Sequence, residues 1–324
     1  MTLAARTVLL GAAGSAAAFA AACSLRRTWG SGVRIVTMDI HPRHLVAAST
    51  LSDVHVVAPP VSEHGFAAFL RAAIAEHQVS TYVPILPGEV CAGAALAAED
   101  AVDPTVFALL PCRRAADLCA DKLRLHHELA RRGIPTPRTW SGCETPAADG
   151  APLFRKARFG HGSHGARAVR PGELDAPTGG GNEPEAVIQE HCEGPEVSVD
   201  VFRDPHGDGA RVLCRERLSV RDGVCVKCRL FEDADLQALC LHLASAIGLG
   251  VLSCIQVMRL RGQWVVTDVN PRPGAGTSMG VPTGNDFLAA SFAAAWGEPW
   301  GGSFRILTRD AHVARQHADV LTGV

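Results

Sequence analysis

From Thr7 to Leu110 the chain alternates short apolar stretches with helical ones, and no other feature restricts its fold as much. The strand candidates are Thr7–Leu10, Val33–Asp39, Val54–Val57, Tyr82–Ile85 and Thr105–Leu110. The helical stretches between them include Gly14–Leu25, Ser62–Glu76 and Gly88–Ala98. Parallel strands need crossover connections, and helices at these positions supply them, so the pattern predicts a parallel α/β sheet. The first turn, Gly11-Ala-Ala-Gly14-Ser15, lacks the three spaced glycines of a dinucleotide fingerprint. Asp39, at the end of the second strand, therefore reads as structural.

The beginning of the chain has a competing reading. Arg6, an apolar run and Ala20-Ala21-Ala22-Cys23 have the outline of a secreted lipoprotein signal. The strand at Val33–Asp39 needs a neighbour, however, and the run is rich in Ala and Gly, a poor membrane span. Strand, turn and helix is the better account, with a cytoplasmic location expected. Eleven scattered cysteines, an odd number, fit free thiols in a reducing compartment. The pair Cys225-Val-Lys-Cys228 has metal or redox spacing, but no second pair completes four ligands.

Beyond Arg113 the texture changes. Asp121 to Gly133 is an amphipathic helix with a glycine stop, followed by Pro135 and Pro137. Strands then dominate: Leu153–Arg158, Ala166–Arg170, Ala186–His191 and Glu196–Phe202. A long hairpin over 209–231, a helix over 234–248 and a second hairpin, 251–260 with 264–270, complete the pattern. With 31 basic residues against 33 acidic ones and a net charge of -2, a nucleic-acid or membrane-surface binder is disfavoured. A soluble enzyme or small-molecule binder remains.

Three segments carry chemistry. In the first, Lys156 precedes the glycine-rich turn Gly160-His-Gly162-Ser163-His-Gly165. Glycines let backbone amides approach phosphate oxygens, while Ser163 adds a donor and Lys156 a charge. Only three lysines stand among 28 arginines, namely Lys122, Lys156 and Lys227, so each is a candidate for a compact point charge. The second segment, Glu190-His-Cys192-Glu-Gly-Pro-Glu196, sets carboxylates around a strand connection, where they could accept from adenine and ribose. In the third, Gln256 and Asp268 converge on adjacent strands, followed by Asn270-Pro-Arg272-Pro-Gly274. Such oxygen donors suit Mg²⁺ shared with phosphates, and Arg272 is placed to neutralise a phosphoryl group. Taken singly, the first two segments are ordinary turns; an Asp-x-Asn-Pro-Arg run at a hairpin end is not.

In this order the segments resemble the ATP-grasp superfamily, in its branch of biotin carboxylase, the large subunit of carbamoyl phosphate synthetase and amino-acid ligases. The resemblance implies an α/β, ATP-grasp fold: a Rossmann-like pre-grasp domain (1–112), a connecting helix and linker (113–152), a lid (153–202) and a C-terminal α+β grasp subdomain (203–324). It also implies roles. Lys122, Lys156 and the loop with Gly160, Gly162, Ser163 and Gly165 would hold ATP phosphates. Glu190 and the backbone of Cys192 would read adenine, and Glu196 the ribose. Asp268, Asn270 and Gln256 would bind Mg²⁺, or Mn²⁺ in its place. Arg272 and Lys156 would spread charge during transfer, with Arg215 as a clamp on the carboxylate or acyl phosphate.

Where Asp268 stands many relatives have glutamate, and Gln256 replaces a carboxylate of some branches. The implied activity is an ATP-dependent carboxylate–amine ligase that makes an acyl phosphate and then an amide, with a small carboxylate and an amine as substrates. Homodimers are common in the family. The alternatives are a bicarbonate-phosphorylating enzyme and a silent ATP-binding subunit.

Overall fold

The computed structural model describes residues 6–99, 102–142, 144, 151–160, 165–170, 185–316 and 319–323. Its first half runs β1 (Arg6–Leu10), α1 (Ala16–Trp29), β2 (Val33–Asp39), β3 (Val54–Val57), α2 (Phe66–Glu76), β4 (Thr81–Val83), α3 (Pro87–Ala97), α4 (Arg113–Ala120) and α5 (Lys122–Arg131). The second half runs β5 (Thr139–Ser141), β6 (Leu153–Ala157), β7 (Arg167–Val169), β8 (Ala186–Glu190), β9 (Glu193–Arg203), β10 (Ala210–Arg221), β11 (Val224–Phe231), α6 (Ala234–Ile247), β12 (Leu252–Leu260), β13 (Gln263–Asn270), α7 (Phe287–Ala295) and β14 (Ala311–Ala314).

The parallel sheet forms as expected, in the order β3-β2-β1-β4. β1 lies inside it, paired with β2 on one side and β4 on the other. Strand alternation splits its side chains between two cores: Val8 and Leu10 face α1, while Leu9 faces the helices α2 and α3. One expected strand does not form. Thr105–Leu110 contains instead a 3₁₀ turn over Pro104–Phe107, because Pro104 has no N–H to offer a ladder and the Asp103 side chain captures the Thr105 N–H at 2.9 Å. β4 stops at Val83 for a related reason, with Pro84 next in line.

Two further sheets follow. β5, β8, β6 and β7 form a four-stranded sheet, and β13-β12-β9-β10-β11-β14 a six-stranded one. β9 thus runs in the larger sheet, across the expected boundary at 202/203. Both long hairpins turn on residue pairs with positive φ, Asp222-Gly223 and Arg261-Gly262, the geometry that suits the twist of a two-residue hairpin. One face of the large sheet packs on α5 and α6. Part of the other joins α1 and α7 in the core shared with the parallel sheet. Among the described residues no helix is long and apolar enough to cross a membrane.

Candidate functional site

Residues directly opposite in antiparallel strands share a face. The register pairs Asp268 with Gln256, Gln256 with Ser198 and Ser198 with Arg215, so four polar residues form one row across β13, β12, β9 and β10. Asn270, Cys254 and Asp200 form the next row. A slip in register between Gln256 and Val257 leaves Thr267 as an extra residue on β13. Bulges free backbone groups from the ladder. Here the Thr267 carbonyl accepts from Lys156 Nζ at 2.7 Å, and the ring of His126 reaches it at 3.2 Å.

Lys156 is the hub. Enclosure of its ammonium lowers its pKa to about 8, against the pull of Asp268, Cys192 and Glu196 and with the push of Lys122. Asp268 is thus the chief counter-charge of a lysine projecting from a different sheet. Lys122 Nζ donates to the carbonyl of Gly160 at 3.0 Å, so the two lysines flank the foot of the glycine turn. Asp121 caps α5 and pairs with Arg158 at 2.7 Å, which fixes Lys122 at the first position of the helix. Gly162 and Ser163 lie outside the described residues; Gly165 takes a positive φ, as a glycine turn requires.

A cleft is lined by Lys122, Gly160, Asp268, Asn270 and Arg272, among others. Asn270 Nδ2 donates to Asp268 at 3.3 Å, and its Oδ1 accepts from Arg272 at 3.1 Å. Burial lowers the pKa of Arg272, and its Nε has no partner among the described residues. Glu89, in the first turn of α3, is buried. Its carboxylate accepts from the N–H groups of Ala12, Ile85 and Leu86 at 2.8–2.9 Å, tying together the ends of β1 and β4.

Other expected residues stand apart from that cleft. Glu190 accepts from three N–H groups of Arg138 and from Arg261. Burial pushes its carboxyl up, but these donors outweigh it and hold the pKa below the ordinary value. Cys192 is buried beside it, its thiol pushed up to about 11. Glu196 is paired with Arg217. Arg215, expected as an open carboxylate clamp, is 2 % exposed and already committed to Asp200 at 3.2 Å. Asp200 also takes the Thr277 hydroxyl at 2.7 Å. A Cβ at Gly276 would run into the Arg215 guanidinium, so this pair secures the loop that follows Arg272. Asp200→Ala should cost about 3–5 kcal/mol in urea unfolding, because it strands a buried cation. A loss below 1 kcal/mol would contradict that role.

Residues 119–276 match the profile of the ATP-grasp domain family, a span that opens beside Lys122 and closes just beyond Arg272. Those residues form an ATP-grasp domain. No curated protein sequence matches it. Among solved structures, the T882A pyruvate carboxylase of Rhizobium etli, described with acetyl coenzyme A, is similar to this chain at 17% identity and a TM-score of 0.73. The match covers 95% of this chain but 31% of that one, so the chain spans about a third of its length. The biotin carboxylase domain of Hydrogenobacter thermophilus 2-oxoglutarate carboxylase, a dimer with MgADP, ADP and bicarbonate, matches at 18% identity over 90% of this chain and 70% of its own, TM-score 0.70. The L-amino acid ligase of Bacillus licheniformis matches at 14% over 96% and 80%, TM-score 0.68. At these identities the likeness is one of fold.

The row of four polar residues was readable in part, since Gln256 and Asp268 sit at hairpin spacing. The Thr267 bulge and the roles of Asp200 and His126 were not. The one available signal was the four-residue step from Lys122 to His126, which sets both on one face of α5.

Proposed function

We propose that this chain is an ADP-forming ligase that joins a carboxylate to an amine. The observation that carries the reading is the convergence of Lys122, Gly160, Asp268, Asn270 and Arg272 on one cleft, with Lys156 held by the Thr267 carbonyl within the field of Asp268. In the first step an oxygen of the substrate carboxylate attacks the γ-phosphorus of ATP in line. The bond to the β-phosphate oxygen breaks, giving an acyl phosphate and ADP. In the second, an amine adds to the acyl carbon, phosphate leaves and a proton is lost from nitrogen. Lys122 and Lys156 hold phosphate oxygens, and Arg272 receives the charge that builds on the transferred group.

The donors suit a divalent ion shared with nucleotide. Among the described residues no three His, Cys, Asp or Glu side chains cluster as a metal site, and Asp268, Asn270 and Gln256 offer one carboxylate and two amide oxygens. Mg²⁺ needs few protein ligands when phosphates complete its shell. Bound there by Asp268, with Asn270 and Gln256 beside it, Mg²⁺ would supply charge that weakens the repulsion between triphosphate and carboxylate. Mn²⁺ fits the same donors. Glu190, Cys192 and Glu196 are the candidates for adenine and ribose, and the structure of a similar enzyme with MgADP and bicarbonate supports testing both ligands.

The test is ADP release from MgATP with a panel of carboxylates, amines and bicarbonate. Stimulation by bicarbonate alone would replace the ligase reading with a carboxyphosphate one. Binding of MgADP without turnover on any panel member would leave a nucleotide-binding subunit.

A pH dependence follows from Lys156. Its pKa of about 8 lies below the 10.5 of a free lysine, so the ammonium is charged below pH 8 and is lost as pH rises through it. If the ammonium holds phosphate, MgADP affinity is greatest on the acid side of that pKa and falls about tenfold one unit above it. Lys156→Met should flatten the profile as measured by calorimetric titration. An unchanged slope in the variant would exclude Lys156 as the titrating group.

A further inference from the structure

Lys122 and His126 lie about one turn apart on α5, so the helix delivers both to one neighbourhood. Lys122 reaches the cleft itself, on the Gly160 carbonyl at 3.0 Å. His126 is 1 % exposed and stands between Thr136 and the bulge on β13. Burial, reinforced by the charges of Lys156 and Lys122, holds its pKa well below the ordinary value, so the ring is neutral and carries one N–H. The Thr267 carbonyl can only accept, which puts that proton on Nε2, 3.2 Å away. Nδ1 then accepts from the Thr136 hydroxyl, whose other neighbour is the Val266 carbonyl at 3.0 Å. The Thr267 carbonyl thus takes two donors, the His126 ring and Lys156 Nζ at 2.7 Å, one for each lone pair.

The two donors differ in what they are free to do. Lys156 belongs to β6, in the smaller antiparallel sheet, and a phosphate in the cleft would compete for its ammonium. His126 sits on a helix packed against the large sheet and has no such second partner to turn to. A buried carbonyl left without a donor is costly, so Lys156 can turn to a phosphate cheaply only if the oxygen it leaves stays satisfied. Resting on the ligase reading above, we propose that His126 is a positioning residue for Lys156: it holds the bulge on which the ammonium rests and keeps the Thr267 carbonyl satisfied when the ammonium turns to a phosphate. A neutral ring adds no charge of its own to the cleft, so its effect on nucleotide passes through Lys156. An apolar side chain at this position would make the oxygen dependent on the lysine, and nucleotide would have to break that bond at full cost. A glutamine reaches about as far as Nε2 and can donate from its amide, so it should stand in for the ring.

The test titrates MgADP by calorimetry, at neutral pH, into the full chain as the parent, His126→Leu, Lys156→Met and the double variant. His126→Leu should weaken binding about tenfold in the parent background, the effect of one buried acceptor left bare. In the Lys156→Met background the same change should cost less than about twofold, because the group through which it acts is gone. His126→Gln should bind MgADP within about threefold of the parent. An equal loss in both backgrounds, no loss in the parent background, or a glutamine variant as weak as the leucine one would each overturn the proposal. So would a Lys156→Met variant that binds MgADP like the parent. Should the leucine variant fail to fold, nitrogen NMR of the histidine-labelled parent decides: the His126 proton is expected on Nε2, and a proton on Nδ1 overturns the proposal. Failure of the unaltered chain to bind MgADP would instead sink the ligase reading, and this proposal with it.

Discussion

Asp268→Ala should lower ADP release from MgATP by roughly 10³-fold, the effect of losing about 4 kcal/mol of charge stabilisation at a phosphoryl-transfer site. Two losses combine. Asp268 is the sole carboxylate of the proposed metal donors, since Gln256 and Asn270 contribute amide oxygens. It is also the leading counter-charge of Lys156, so its removal lets the lysine pKa fall further and depletes the ammonium near neutral pH. The two effects separate by pH. At about pH 6.5, where Lys156 keeps its proton in both proteins, ADP without metal should bind the variant and the parent alike. MgADP should still discriminate between them. Turnover within tenfold of the parent, with an unaltered Mg²⁺ dependence, would remove Asp268 from the site.

How much of this was readable beforehand depended on the range of the interactions that decide each feature. β2 and β3 were legible residue for residue, because an apolar run bounded by polar and glycine residues is a local signal. That Gln256 and Asp268 lie on adjacent strands of one hairpin was legible too, but the turn at Arg261-Gly262 alone would set Gln256 opposite Thr267, and the bulge brings Asp268 there. Thr105–Leu110 misled for an equally local reason: its apolar residues face a core, but Asp103 and Pro104 divert the backbone before a strand can start. Arg215 was misplaced because burial is a property of the assembled sheets. Nothing near it in sequence reveals that Asp200, a register neighbour of Cys254, will claim its guanidinium. The Thr267 bulge was hidden likewise, since alternation through Gln263–Asn270 looks regular until the strand is paired.

Arg272→Met should lower turnover by about 10²- to 10³-fold while leaving MgADP affinity and folding stability almost intact. The fall in rate comes from its position. Arg272 lines the cleft beside Lys122, Asp268 and Asn270, so under the ligase reading it is placed to meet charge on the transferred phosphoryl group. ADP lacks the γ-phosphate, so its binding hardly samples that contact, and a change of less than about threefold in Kd is expected. Stability should hold because Arg272 is a buried cation with an unsatisfied Nε, disfavoured enough by burial that its pKa is lowered. Methionine occupies similar space without that desolvation cost. Glu89 does not become an orphan, because its hydrogen bonds run to Ala12, Ile85 and Leu86 and not to the arginine. The urea midpoint should therefore stay level or rise. Arg272→Lys should not restore turnover, since an ammonium cannot hold Asn270 and Pro273 and still present a planar fork to the substrate. If stability, MgADP affinity and turnover instead fell together in the methionine variant, Arg272 would be a structural residue and not one that meets the transferred group.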